Sequence, residues 1–138
     1  MRPHALIDSG ALIGLLDTSD RWHDACAAAF RSIRHPLATT AAALTEVFHH
    51  QSGSSHRLQT AWGLVRSRSI AVLPIDVGDL PALERLMLKY ADRPMNFADA
   101  TLVRLAEREG LSTILTVDQD FDVYRIGGRK AFRVLPRR

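Results

Sequence analysis

The sequence contains a single cysteine, Cys26, among 138 residues, so an internal disulfide is excluded. A chain without disulfides is typical of a reducing compartment, and we expect a cytoplasmic protein. No apolar run approaches the roughly 20 residues that a membrane-spanning helix needs. The amino terminus, Met1 to His4, leads directly into an apolar run and shows no signal-peptide pattern. These absences predict a protein that does not associate with a membrane.

Neither sign of charge is in large excess. The chain has 18 Lys and Arg against 15 Asp and Glu, and its net charge of +3 is a weak indication of a nucleic-acid partner. Basic residues crowd the carboxyl terminus at Arg125, Arg129, Lys130, Arg133, Arg137 and Arg138. This cluster fits solvated surface charge, contact with phosphate groups or docking of an acidic partner. With 46% hydrophobic and 24% charged residues, the sequence predicts a single soluble domain over residues 1–138.

Short apolar runs alternate with helical patterns along the chain. The predicted strands are His4–Asp8, Leu37–Thr39, Ile70–Ile75, Ser112–Thr116 and Lys130–Leu135. Helices are predicted between them, and their N-terminal caps are Ser9, Ser19 or Asp20, Thr39 or Thr40, Asp79 and Asn96. Helices that alternate with buried strands favour a mostly parallel sheet covered on both faces. The pattern therefore predicts an α/β fold.

Four carboxylates occupy positions that such a sheet would bring together. Asp8 ends the first strand and Asp118 follows the fourth, while Glu46 and Asp99 lie within helical patterns. In open α/β sheets, binding sites form beyond the carboxyl ends of the strands. Asp8, Glu46 and Asp99 interrupt apolar surroundings, where an unpaired acid is costly. We therefore expect the four acids to form one cluster.

A cluster of four acids needs a positive charge between its members. Hard divalent cations such as Mg²⁺ and Mn²⁺ take oxygen ligands of this kind. A bound cation lowers the pKa of water and stabilises charge on a phosphate, so phosphodiester hydrolysis then requires neither histidine nor cysteine. The cluster predicts Mg²⁺ or Mn²⁺ as the cofactor.

Several segments carry a resemblance to PIN-domain ribonucleases, specifically to VapC-type toxins of bacterial toxin–antitoxin pairs. They are residues 6–13 (LIDSGALI), 45–47 (TEV), 97–103 (FADATLV) and 115–121 (LTVDQDF), and residues 121–136 are also similar to this family. The resemblance implies a three-layer α/β/α PIN-like fold. It also implies a metal-dependent endoribonuclease, the toxin of a type II pair, that hydrolyses RNA phosphodiester bonds.

The resemblance assigns roles to individual residues. The implied metal ligands are Asp8, Glu46, Asp99 and Asp118. Asp120 is an alternative for the fourth ligand, because the family varies in this loop. The hydroxyl groups of Ser9 and Thr116 would orient a ligand or a water. Related toxins often carry an acid where this chain has Asn96, which caps a helix and supplies less negative charge.

The resemblance also implies two protein partners. One is an antitoxin whose tail lies over the acidic cleft, and the other is a second copy of the chain in a homodimer. A PIN-like module that binds RNA or protein without cleavage is the alternative function, although retention of all four acids argues against it. A phosphoacceptor domain also places an aspartate at a strand end. One such class needs an acid two residues after Asp8, where this chain has Gly10.

Overall fold

The computed structural model describes residues 2–136, so Arg137 and Arg138 of the basic cluster lie outside the described residues. Its seven strands are β1 (Ala5–Ile7), β2 (Leu37–Thr39), β3 (Ile70–Val72), β4 (Thr113–Leu115), β5 (Arg125–Ile126), β6 (Lys130–Ala131) and β7 (Arg133–Leu135). Five of them form a sheet in the order β3-β2-β1-β4-β7, and every neighbouring pair is parallel. β5 and β6 form a separate antiparallel hairpin. The predicted parallel sheet is confirmed.

Helices cover both faces of this sheet. They are α1 (Ser9–Leu16), α2 (His23–Ser32), α3 (Ala41–His50), α4 (Ser55–Val65), α5 (Leu80–Lys89) and α6 (Phe97–Glu109). Side chains of β1 alternate between two cores: Ala5 and Ile7 share one core with Cys26 of α2, whereas Leu6 shares the other with Leu102 of α6. The predicted three-layer α/β/α arrangement is confirmed. None of the helices within residues 2–136 is long and apolar enough to cross a bilayer.

Four of the five predicted strands are shorter in the structure, and two of them differ by more than one residue at an end. The strand predicted over Ile70–Ile75 ends at Val72, before Pro74. The strand predicted over Lys130–Leu135 is divided at Phe132, which is buried in the core with its ring 5.6 Å from that of Phe121. Because Phe132 turns into the core, the chain leaves the hairpin there and then joins β4.

Two of the predicted caps are confirmed. The hydroxyl of Thr40 accepts a hydrogen bond from the amide of Ala43 at the start of α3. The amide oxygen of Asn96 accepts one from Asp99 at the start of α6. Gly110 ends α6 with a φ of 69°, a left-handed conformation that favours glycine. These caps fix the entry points of the two helices that carry Glu46 and Asp99.

Two of the predicted caps are wrong. Asp8, rather than Ser9, caps α1, because its carboxylate already faces the first turn from the end of β1. Neither Ser19 nor Asp20 caps α2, which begins after Trp22 without a side-chain cap. The N-cap residue of α5 is Asp79, as predicted, but its carboxylate makes no capping hydrogen bond and accepts from the Asp76 amide instead.

Candidate metal centre

The site lies at the carboxyl edge of the sheet, where two neighbouring parallel strands end. In the register of β1 and β4, Ile7 is paired with Leu115. Asp8 therefore emerges beside Thr116, and the Asp8 amide donates to the Leu115 carbonyl over 3.3 Å. The first turn of α6 contributes Asp99, so two strand ends and one helix N-terminus supply the acids.

Asp8 is buried, with only 4% of its surface exposed. One carboxylate oxygen accepts from the Ala11 amide at 3.0 Å, and the other accepts from the Thr116 hydroxyl. Burial raises the pKa of Asp8 to about 7. The two hydrogen bonds oppose that rise, whereas the nearby charges of Asp118 and Asp99 add to it. Asp8 is thus held rigidly in an environment that disfavours its own negative charge.

Asp99 is also buried, and the hydroxyl of Tyr124 donates to one of its carboxylate oxygens over 3.1 Å. Burial, the largest cause, and the charge of Asp118 raise the pKa of Asp99 to about 6. Glu46 and Asp120 act in the same direction. Burial and the negative charge of Asp99 raise the pKa of Tyr124, which keeps its hydroxyl protonated as a donor.

The loop after β4 supplies two more acids. One carboxylate oxygen from each of Asp99, Asp118 and Asp120 lies within 4.8 Å of the others. Asp118 is held by its amide, which donates to the Thr116 hydroxyl at 2.9 Å, and its carboxylate accepts from the Asp120 amide at 2.9 Å. The guanidinium of Arg93 pairs with Asp120 at 3.0 Å. The structure therefore brings both alternatives for the fourth acid next to Asp99.

Glu46 differs from the other acids because it is exposed on α3. The expectation of apolar surroundings was wrong for this residue. Its carboxylate accepts a hydrogen bond from the Ser9 hydroxyl over 3.3 Å, and its charge contributes to the raised pKa of Asp99. Glu46 thus borders the cluster from the solvent side, and Ser9 orients it.

Two residues of the site were missed by sequence reasoning. Tyr124 stands in the segment that resembles the family, but its distance to Asp99 depends on how the chain folds back after β4. Arg93 stands in the loop before α6 and carried no signal beyond its charge. A buried hydroxyl donor and a cation next to acids can be recognised only when the three-dimensional neighbours are known.

The donor set fits a hard divalent cation. Three carboxylates within 4.8 Å, with Asp8 and Glu46 at the border, offer oxygen atoms of the kind that Mg²⁺ and Mn²⁺ prefer. Burial first, and then the like charges at this edge, raise the pKa values of Asp8 and Asp99, and a bound cation would relieve the repulsion between those charges.

The fold and this edge define a class: a parallel α/β protein with an acidic cluster at the carboxyl ends of its strands. The family model of the PIN domain matches residues 5–127. The chain belongs to the PIN domain family. No curated protein sequence matches it.

Solved structures share the fold at low sequence identity. The chain is similar to VapC20 from Mycobacterium tuberculosis, described as a sarcin-ricin loop cleaving toxin, with a TM-score of 0.78 and 16% identity over 86% of this chain and 93% of that chain. It is also similar to VapBC2 from Rickettsia felis, solved with a DNA fragment from its promoter. There the TM-score is 0.66 and the identity 13%, over 91% of this chain and 95% of that chain.

Proposed function

We propose that the protein is a metal-dependent endoribonuclease and the toxin of a type II toxin–antitoxin pair. The observation that carries this proposal is the convergence of Asp99, Asp118 and Asp120 within 4.8 Å, beside the buried Asp8. Membership of the PIN domain family and the similarity to a toxin that cleaves the sarcin-ricin loop support the same activity. Its substrate is RNA, and it acts in the cytoplasm.

Asp8, Glu46, Asp99 and Asp118 are the proposed ligands of Mg²⁺ or Mn²⁺. Asp120 remains the alternative for the fourth ligand, and its carboxylate pairs with Arg93 at 3.0 Å. When bound, the cation supplies activation of water and stabilisation of charge on the phosphate. Hydrolysis then needs no covalent intermediate on the protein.

The remaining polar residues position the acids. Thr116 donates to Asp8, and Tyr124 donates to Asp99. Asn96 caps α6 and thereby fixes the turn that carries Asp99. Such partners hold ligand oxygens in one orientation, so the site is preorganised before substrate arrives.

The test is cleavage of RNA by the purified protein. We expect cleavage in Mg²⁺ or Mn²⁺ and its loss in EDTA. Asp99→Asn should reduce the rate by about 100-fold or more, the scale expected when one preorganised electrostatic group is removed. Asp24→Asn, on the exposed start of α2, is the control and should cleave at the wild-type rate. RNA binding without cleavage would favour the alternative, a non-catalytic PIN-like module.

The proposed partner is an antitoxin that covers the acidic cluster. The raised pKa values of Asp8 and Asp99 mark a site that favours an approaching cation, and an arginine can pair bidentately with carboxylates. Expression of the wild-type chain alone should arrest growth, whereas Asp99→Asn should not. Coexpression with an adjacent antitoxin frame should restore growth. Harmless expression of the wild-type chain alone would contradict the toxin proposal.

The second proposed partner is another copy of the chain. α5 exposes Leu80 and Leu88, the latter with 70% of its surface exposed, beside a hollow of about 540 Å³ that is also lined by Leu83 and Met87. Exposed apolar surface of this kind marks interaction sites. Light scattering should give a dimer at micromolar concentration, and Leu88→Lys should shift it to a monomer. A wild-type monomer would contradict the proposal.

A further inference from the structure

A second hollow, of about 530 Å³, opens beside the acidic cluster. Its floor is apolar and consists of Ala41 and Ala42 from α3 and Ala98 from α6. Its polar wall includes Glu46 and Asn96. Glu46 borders the candidate metal centre and Asn96 caps the helix of Asp99, so the hollow is continuous with the site.

Phe97 forms one side of this hollow. It is the first residue of α6, two positions before Asp99, and 49% of its surface is exposed to solvent. The exposed half of the Phe97 ring is not used by the core and is available for contact with a ligand. Phe97 also lines the hollow beside α5.

The chemistry of the hollow limits what can occupy it. Small alanine side chains and one exposed aromatic ring suit a flat group with apolar faces. The Asn96 amide nitrogen can donate a hydrogen bond to the polar edge of such a group, and the Thr45 hydroxyl, which itself donates to the Ala41 carbonyl, can accept one. A cavity of about 530 Å³ lies within the size range of ligand sites. An unpaired nucleobase, attached to a phosphate at the acidic cluster, has all of these properties.

We propose that Phe97 and the hollow beside it bind an unpaired base of the RNA next to the cleaved phosphate. This inference rests on the proposed nuclease function, and it assigns a substrate-positioning residue to that site. Stacking of a base on an aromatic ring tolerates every base, because each has a π-face. Phe97 therefore selects unpaired RNA over a continuous duplex, in which bases are stacked on one another.

The test is binding of a fluorescent single-stranded RNA of about ten nucleotides, measured by anisotropy. The Asp99→Asn protein serves as the parent because it should not cleave the probe. Adding Phe97→Ala should weaken binding about 10-fold, the effect of losing one stacked base. Phe97→Trp should restore the affinity. Val77→Ala, at an exposed residue outside the hollow, is the matched control and should bind like the parent.

A second probe separates stacking from general damage to the surface. An abasic sugar–phosphate chain of the same length retains the charges but has no bases, and Phe97→Ala should leave its affinity unchanged. The proposal would be overturned if Phe97→Ala lowered the affinity for both probes equally, or if it left the affinity for the RNA unchanged. It would also be overturned if the parent did not bind RNA. A change from dimer to monomer in Phe97→Ala that accounts for the whole loss of RNA affinity would also overturn it, because Phe97 would then belong to a protein interface.

Failure of the base site and failure of the nuclease proposal remain distinguishable. With Asp99 intact, Phe97→Ala should raise KM for RNA cleavage about 10-fold and change kcat less. If wild type cleaves RNA and Phe97→Ala keeps the same KM, the base site is wrong while the nuclease stands. If wild type never cleaves RNA but the anisotropy results hold, the nuclease proposal is wrong while the base site stands.

Discussion

Asp8 and Asp79 are two aspartates with the same small exposed fraction and opposite surroundings. Each has 4% of its surface exposed. The Asp79 carboxylate accepts from the Asp76 amide, from Arg104 at 2.8 Å and from Arg108 at 2.7 Å, and these partners lower its pKa. Asp8 accepts from a neutral amide and a neutral hydroxyl and faces other acids, and its pKa is raised to about 7.

The difference shows how the fold treats a buried negative charge in two places. On the α5–α6 side, the chain supplies its own cations, and the acid contributes to stability. At the carboxyl edge of the sheet, the acids face one another, and their repulsion lowers the stability of the fold until a cation binds. Acid clusters of the second kind are candidates for function because their arrangement is unfavourable for folding alone.

The largest expected effect is on the free energy of unfolding, at Asp79, whose charge is neutralised by Arg104 and Arg108. Asp79→Asn removes the charge between Arg104 and Arg108 and should lower the free energy of unfolding by about 3 kcal/mol. This is the lower end of the range for a broken buried pair, because both arginines are partly exposed. Chemical denaturation measures the change, and Asp92→Asn in an exposed loop is the control. The rate of RNA cleavage per folded molecule should be unchanged. A loss of cleavage would show that the ion pairs of Asp79 and the acidic cluster do not act independently.

The pH dependence of stability should have opposite signs in the two regions. In EDTA, folded Asp8 and Asp99 keep protons up to about pH 7 and 6, whereas the unfolded chain releases them near pH 4. The folded state then binds more protons, so the free energy of unfolding should fall as the pH rises from 5 to 8.

Asp79 behaves in the opposite way. Its pKa is lowered, so its contribution is complete above the unfolded value of 3.8 and is lost only as the pH falls through its lower folded value. Denaturation in EDTA at several pH values measures both regions. Asp8→Asn should flatten the slope between pH 5 and pH 8, and an unchanged slope would show that Asp8 does not titrate there.

A smaller effect is expected from the hydroxyl that orients Asp99. Tyr124→Phe removes the donor at 3.1 Å, so the cation concentration for half-maximal cleavage should rise about 10-fold. Tyr90→Phe is the matched control, because the Tyr90 hydroxyl accepts from the Arg125 amide and does not contact an acid. Equal effects of both substitutions would assign Tyr124 to packing.

Sequence patterns predicted the order of the elements and the edge of the sheet at which Asp8 and Asp118 emerge. Both predictions depend on local signals, since apolar runs and turn residues mark where strands end. Patterns did not distinguish Asp8 from Ser9 as the cap of α1, because both residue types can cap a helix. The choice depends on Thr116, which is distant in sequence but contacts Asp8 across the strand pair.

The other differences between the predictions and the structure also come from contacts between residues that are distant in sequence. Glu46 was expected among apolar residues, but it occupies an exposed position of α3. The division of the last strand at Phe132 depends on a cluster of rings that includes Phe121 and Tyr124. Local propensity carries no information about such long-range contacts, so they could not be predicted from the sequence.

The central claim is that the acids at the sheet edge form a cation site, and stabilisation by Mn²⁺ or Mg²⁺ tests it most directly. Denaturation after exhaustive EDTA treatment should show wild type gaining about 2.7 kcal/mol at 100 times the dissociation constant of the cation. Asp79→Asn should gain as much as wild type, and Asp99→Asn should gain much less. Equal gains by wild type and Asp99→Asn, or no gain by either, would contradict the account.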